Sequence, residues 1–126
     1  MTIWGIREVA RKVGLSEHTL RWYERIGLLD RIERGPDGRR RFTDRDVDWI
    51  LLLTRLRTTG MPVKDMHRYA ELVRAGAGES ERLRLLSEHR ERVRAALMAQ
   101  QECLDMLDLK IRIYRRAARS AAKEKQ

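Results

Sequence analysis

The chain has 126 residues and carries 28 Lys and Arg against 19 Asp and Glu, a formal net charge of +9. That length holds one compact domain and an appendage and excludes two full cores. The basic excess points to a polyanionic partner. Nucleic acid fits better than a membrane, because no stretch approaches the roughly 18 to 20 uninterrupted apolar residues of a spanning helix. A single cysteine, Cys103, excludes an intrachain disulfide and a cysteine-cluster metal site. Arg7 and Glu8 break the N-terminal run that a signal peptide needs, so a cytoplasmic protein is expected.

Both prolines and every aromatic residue except Tyr114 precede Ala75, and the remainder is nearly free of helix breakers. This asymmetry predicts a turn-rich head over residues 1–75, one uninterrupted helix over 79–119 and a frayed tail at 120–126. The head opens with Ile6, Val9, Ala10 and Val13 at helical spacing, and Gly14 supplies a left-handed stop. Leu15 turns inward and Ser16 is placed to cap a second helix. Helix, tight turn and helix is the arrangement that lays a second helix in a major groove.

On that second helix a step of 100° per residue sends Leu20, Tyr23 and Gly27 towards the core and leaves His18, Arg21, Trp22 and Arg25 outside. Arginine can bond guanine edges in pairs or clamp phosphates, and an indole N–H can donate to a phosphate. A solvated basic face is the alternative for these residues taken alone. The turn before them and the basic segment after them favour a DNA contact. In that segment Gly35-Pro36-Asp37-Gly38 has the chemistry of a tight turn, so a small β-hairpin is expected. Its returning strand, Arg39-Arg40-Arg41, should alternate, with Arg39 and Arg41 on one face, Arg40 on the other and Phe42 anchoring the base. Such a wing would add phosphate or minor-groove contacts.

Thr43 and Asp46 form a capping box for a third helix. Val47, Trp49, Ile50, Leu51, Leu52, Leu53 and Leu56 make that helix apolar on nearly every side, so one face should meet the head's core and another a partner chain. Gly60 ends it, and Pro62 restarts a short helix with Val63, Met66, Tyr69 and Leu72 inward. Arg74 to Gly78 is expected to link this to the long helix. There Leu83, Arg90, Leu97, Leu104, Ile111 and Ala118 recur every seven residues, and Leu86, Val93, Gln100, Leu107 and Tyr114 follow three residues after the first five. A stripe about 60 Å long needs a partner helix. Arg90 and Gln100 interrupt it and are suited to setting register.

The run Val13-Gly14-Leu15-Ser16-Glu17-His18-Thr19-Leu20-Arg21-Trp22-Tyr23-Glu24-Arg25-Ile26-Gly27-Leu28-Leu29 resembles the recognition-helix signature of the MerR family of transcriptional regulators. Gly38-Arg39-Arg40-Arg41-Phe42-Thr43 and Gly60-Met61-Pro62 resemble that family's following elements in order and spacing. Trp22 and Tyr23 stand where the family usually has two tyrosines. The resemblance implies a mainly α fold: a winged helix-turn-helix head with a small hairpin wing, followed by a dimerisation helix in an antiparallel coiled coil. It implies DNA contacts from Ser16, His18, Thr19, Arg21, Trp22, Tyr23, Arg25, Arg39, Arg40 and Arg41. The dimer contacts implied are Leu83, Leu86, Val93, Leu97, Gln100, Leu104, Leu107, Ile111 and Tyr114.

The function implied is a homodimeric regulator on a pseudo-palindromic promoter site, distorting the DNA for RNA polymerase. The chain is most similar to the short, aldehyde- or electrophile-responsive branch, which suggests a small-molecule or electrophile inducer. It has no cysteine between Val47 and Thr59, where some members of that branch carry one. Cys103 is then the candidate thiol sensor, with simple helix packing as its alternative. His18, His67 and His89 lie on separate elements, so no metal site and no cofactor is expected. No glycine-rich phosphate loop and no nucleophile with a base points to an enzyme. The alternative function is an architectural or excisionase-like DNA-binding protein without an inducer.

Overall fold

A computed structural model describes residues 2–125 of the chain. Among the described residues five helices carry the fold: α1 (Ile6–Val13), α2 (Glu17–Arg25), α3 (Asp44–Thr58), α4 (Val63–Ala75) and α5 (Glu79–Glu124). α1 stops where Gly14 takes φ 74° and its N–H bonds the carbonyl of Ala10, a conformation that strains any residue with a Cβ. Ser16 caps α2, its hydroxyl accepting from the Thr19 N–H at 3.0 Å. Leu20 and Tyr23 turn into the core and are almost fully buried.

Between α2 and α3 the chain first drops Leu28, Leu29 and Ile32 into the core. It then makes the expected tight turn, with the Gly38 N–H on Gly35 O, Gly35 N–H on Arg39 O and Arg41 N–H on Glu33 O. The hairpin is only one bridge wide, Arg34 opposite Arg40, so the wing is a pinned loop without regular strands. A second bridge, which sequence reading did not foresee, ties Phe42 to Trp4 through paired backbone hydrogen bonds of 2.8 and 2.9 Å. A one-residue bridge has no periodicity to betray it.

The capping box of α3 forms as expected: the Asp46 carboxylate accepts from the Thr43 N–H at 2.9 Å and the Thr43 hydroxyl from the Asp46 N–H at 3.2 Å. Ile50, Leu53 and Leu56 are buried, and Trp49 donates its indole N–H to the carbonyl of Leu28. Val47, Trp49, Leu51 and Leu52 stay half-buried against the same core, so the head itself takes up much of the all-round apolarity of α3. On α4 the buried side chains are Met66, Ala70 and Leu72, while Tyr69 stacks on Trp49 with ring centres 5.8 Å apart.

α4 ends at Gly76, and Gly78 (φ 68°) turns the chain into α5 at a point where a Cβ would collide with the Leu72 side chain. The first turns of α5 belong to the head: Leu85 is buried, Leu86 packs on the core, and Glu81 receives a two-pronged pair of 2.8 Å hydrogen bonds from Arg68. Leu86, placed in the dimer seam by its spacing, is therefore part of the head. The compact unit ends there, and the chain from Ser87 onward forms a second unit. In that unit α5 stays helical to Glu124, so the fraying expected from residue 120 is not seen up to that residue; Gln126 lies outside the described residues. No described helix is long and apolar enough to cross a membrane.

Candidate nucleic-acid interface

The site is built around α2. Its buried stripe, Leu20 and Tyr23, fixes the rotation of the helix, and the opposite face presents His18, Arg21 and Arg25 to solvent. Arg21 is held only loosely by Glu17, 3.7 Å away one turn back, with both side chains largely exposed. An exposed pair of this length costs little to break, so Arg21 is available to a ligand. Ser16 and Thr19 are bound to each other, their hydroxyl oxygens 2.9 Å apart, which makes them the frame of the helix start.

Trp22 is half-buried where a fully outward ring was expected. It packs on the core and lies under the guanidinium of Arg57, 5.6 Å from the ring centre. Tyr23, carried into the DNA-contact set by the family's paired tyrosines, is 1% exposed; helical rotation turns it away from the reading face. Burial pushes its phenol pKa up, and the cation of Arg57 works against that rise. Trp22, Tyr23, His18 and Thr19 form one wall of a pocket of about 440 Å³ whose other wall is Thr54, Arg57 and Thr58 of α3. Sequence reading missed those three. Arg57 is exposed near the end of α3, and nothing in its spacing says that it reaches across to Trp22.

A larger groove of about 670 Å³ lies on the opposite flank of α2, between the first turn of α1 and the wing, with Arg7, Arg34, Arg39 and Arg40 in its walls. The expected alternation of the wing arginines is present: Arg39 and Arg41 are exposed and Arg40 is not. Arg40 turns inward and places Nε 3.5 Å from a carboxylate oxygen of Glu24, both side chains about one-fifth exposed. It thus joins the wing to α2, a contact that its place among the expected DNA donors did not anticipate. Arg41 lies across Gly35, where any Cβ would collide with the guanidinium.

Residues 5–72 match the model of the MerR HTH family regulatory protein. The chain belongs to the MerR family. It is 39% identical over 111 residues to an uncharacterised HTH-type transcriptional regulator of Haemophilus influenzae, an alignment spanning 87% of this chain and 82% of that protein. It is 33% identical over 89 residues to the HTH-type transcriptional regulator AdhR of Bacillus subtilis, covering 70% of this chain and 64% of AdhR. Among solved structures it is similar to HiNmlR, a MerR family regulator lacking the sensor domain, bound to promoter DNA. That similarity has a TM-score of 0.84 at 36% identity and covers 90% of this chain and 87% of the other. The protein is accordingly a MerR-family transcriptional regulator with a mainly helical fold.

In the second unit α5 carries Leu97, Leu104, Leu107, Ile111 and Tyr114 exposed, with Leu97 at 65% and Tyr114 at 69%. Val93 is half-buried and Gln100 exposed on the same stripe. Met98, Met106, Leu109 and Ile113 are also exposed and lie on the opposite side of the helix, a second stripe that the heptad reading passed over. Cys103 is exposed. Among the described residues no group of His, Cys, Asp and Glu is arranged to hold a metal ion.

Proposed function

We propose that this MerR-family protein binds promoter DNA as a homodimer, each head reading one half of a pseudo-palindrome, and distorts the duplex to control RNA polymerase. The observation that carries the reading is the face of α2: two arginines and a histidine exposed on a helix held from behind by Leu20 and Tyr23. Arg21 and Arg25 are the base-reading or phosphate-clamping donors, His18 borders them, and Arg57 over Trp22 offers a phosphate donor from α3. The HiNmlR relative bound to promoter DNA supports the same polarity of function. Two copies of α5 pair through the stripe from Val93 to Tyr114, in the antiparallel sense that the family implies. Bending or untwisting a site costs on the order of 1 to 10 kcal/mol, a range that contacts from two heads can offset. An electrophile or other small molecule is the proposed inducer, with Cys103 the thiol available to it.

Selection from a pool of random duplexes should return one inverted repeat. On that repeat Arg21→Ala should weaken binding by 10-fold or more, roughly the 1 to 3 kcal/mol of one lost base contact, while binding to scrambled duplex changes far less. Equal losses on both duplexes would remove Arg21 from base reading. Recovery of tandem or scattered sites would instead favour an architectural, excisionase-like protein.

A further inference from the structure

We propose that the polar face of α4 is a strut that sets the angle of the recognition helix against the first turns of the dimer helix, with His67, Arg68, Glu71 and Arg74 as positioning residues. The proposal rests on the dimeric DNA-binding reading above and adds what fixes the separation of the two reading helices. The four side chains share about one-third of the circumference of α4. At one end Arg68 holds the start of α5: its Nε and Nη2 each donate to a carboxylate oxygen of Glu81 at 2.8 Å. Its Nη1 lies 3.6 Å from one oxygen of Glu71, and the other oxygen of Glu71 accepts from Nδ1 of His67 at 2.7 Å.

A carboxylate only accepts, so Nδ1 carries a proton and the far edge of the imidazole is turned to the end of α2. There it meets Gly27, where a Cβ would come 3.2 Å from Nε2. Arg74, on the same face, donates from Nη2 to the carbonyl of Gly27 at 2.9 Å and pairs with Asp30. Contiguous contacts therefore run from Glu81 on α5, through Arg68, Glu71 and His67, to the residue at which the chain leaves α2.

Stability does not account for this row. Its paired side chains are between 32% and 75% exposed, and exposed pairs contribute little to folding. Burial of Met66, Ala70 and Leu72 already holds α4 in the head. What a row of oriented pairs adds is direction, because each pair fixes the two elements it joins and a connected network passes a displacement from one end to the other. Gly27 has φ 84° and closes α2, so a displacement there tilts the reading face. In a dimer joined through α5, that tilt sets the spacing at which two heads meet their half-sites, and the distortion of the duplex follows from it.

The test measures binding of the full chain to the selected inverted repeat, to the same repeat with its central spacer one base pair longer or shorter, and to a duplex with a single half-site. The unmodified protein should prefer the selected spacer. Glu81→Gln, which cuts the row at α5, and His67→Ala, which cuts it at α2, should each reduce that preference by about 5-fold, with half-site affinity and the urea midpoint unchanged. Arg74→Gln should reduce it in the same sense. Since Glu81 and His67 are two ends of one row, their double variant should lose no more than the larger single loss. Unchanged spacer preference in the three single variants would overturn the strut and leave the DNA-binding reading standing. Losses that multiply in the double variant, or that half-site binding shares equally, would also overturn it, since they mark separate or merely structural contacts. An unmodified protein indifferent to the spacer, or unable to bind any duplex, would overturn both.

Discussion

Trp22 and Tyr23 are adjacent in sequence and divide the two sides of α2 between them. The 100° step that separates them puts the phenol in the core and leaves the indole at the rim under Arg57. Burial favours the neutral phenol and raises its pKa; the nearby Arg57 cation lowers it by less. A folded-state value above the unfolded one contributes stability that is fully present below the unfolded pKa, about 10 for tyrosine. That contribution is lost as pH rises towards the folded value, because the unfolded chain ionises first. The urea midpoint should therefore fall above about pH 10, and Tyr23→Phe should remove much of that alkaline decline while leaving the neutral-pH fold intact. A decline of the same steepness in Tyr23→Phe would assign it to other groups.

At the scale of elements, the joint between α4 and α5 and the wing show two ways of fixing a chain direction. The joint combines an exposed Arg68–Glu81 pair with apolar contact at Leu85 and Leu72. Arg68 holds the Glu81 carboxyl below its usual pKa range through a direct hydrogen bond, yet so exposed a pair adds little to stability. Burial of a leucine contributes about 1.5 to 3 kcal/mol, so the apolar contact dominates. Gly78 is the sharper constraint: it has φ 68°, and a Cβ there would lie 2.6 Å from a Leu72 methyl carbon. Gly78→Ala should lose about 1 to 3 kcal/mol in urea unfolding from strained backbone plus displaced Leu72. Gly38→Ala in the wing is the control, since its φ is 79° with open space around it, and it should lose only the conformational part. The wing, one bridge wide, depends on Arg40 and Glu24 and on the Trp4–Phe42 bridge to hold its base.

For the whole molecule the decisive surface is α5. Leucines and isoleucines half to two-thirds exposed along the stripe from Leu97 to Tyr114 are costly to leave in water, and a second copy of the helix is the proposed cover. Leu104→Arg puts a charge at the middle of that stripe. It should convert the proposed dimer to a monomer in sedimentation equilibrium at micromolar concentration, with the head's helices unchanged. Affinity for the inverted repeat should then fall to that of a single head, and binding to random duplex should persist more weakly. A Leu104→Arg dimer of undiminished stability would place the partner contact elsewhere on the helix.

The helices, their caps and the family were legible in the residues themselves, because Gly14, Ser16, Thr43 with Asp46 and Pro62 act through hydrogen bonds and backbone angles within a few residues of their own position. The exposed stripe of α5 was legible for the same reason, as a period along one helix. Contacts between distant segments were not: Arg57 over Trp22, Arg40 on Glu24, Phe42 beside Trp4 and Leu86 on the head's core each join residues whose separation along the chain leaves no repeat to read. Only packing in three dimensions decides which of many similar arginines faces a carboxylate and which faces solvent. That choice separates the struts of this head from the side chains left to solvent.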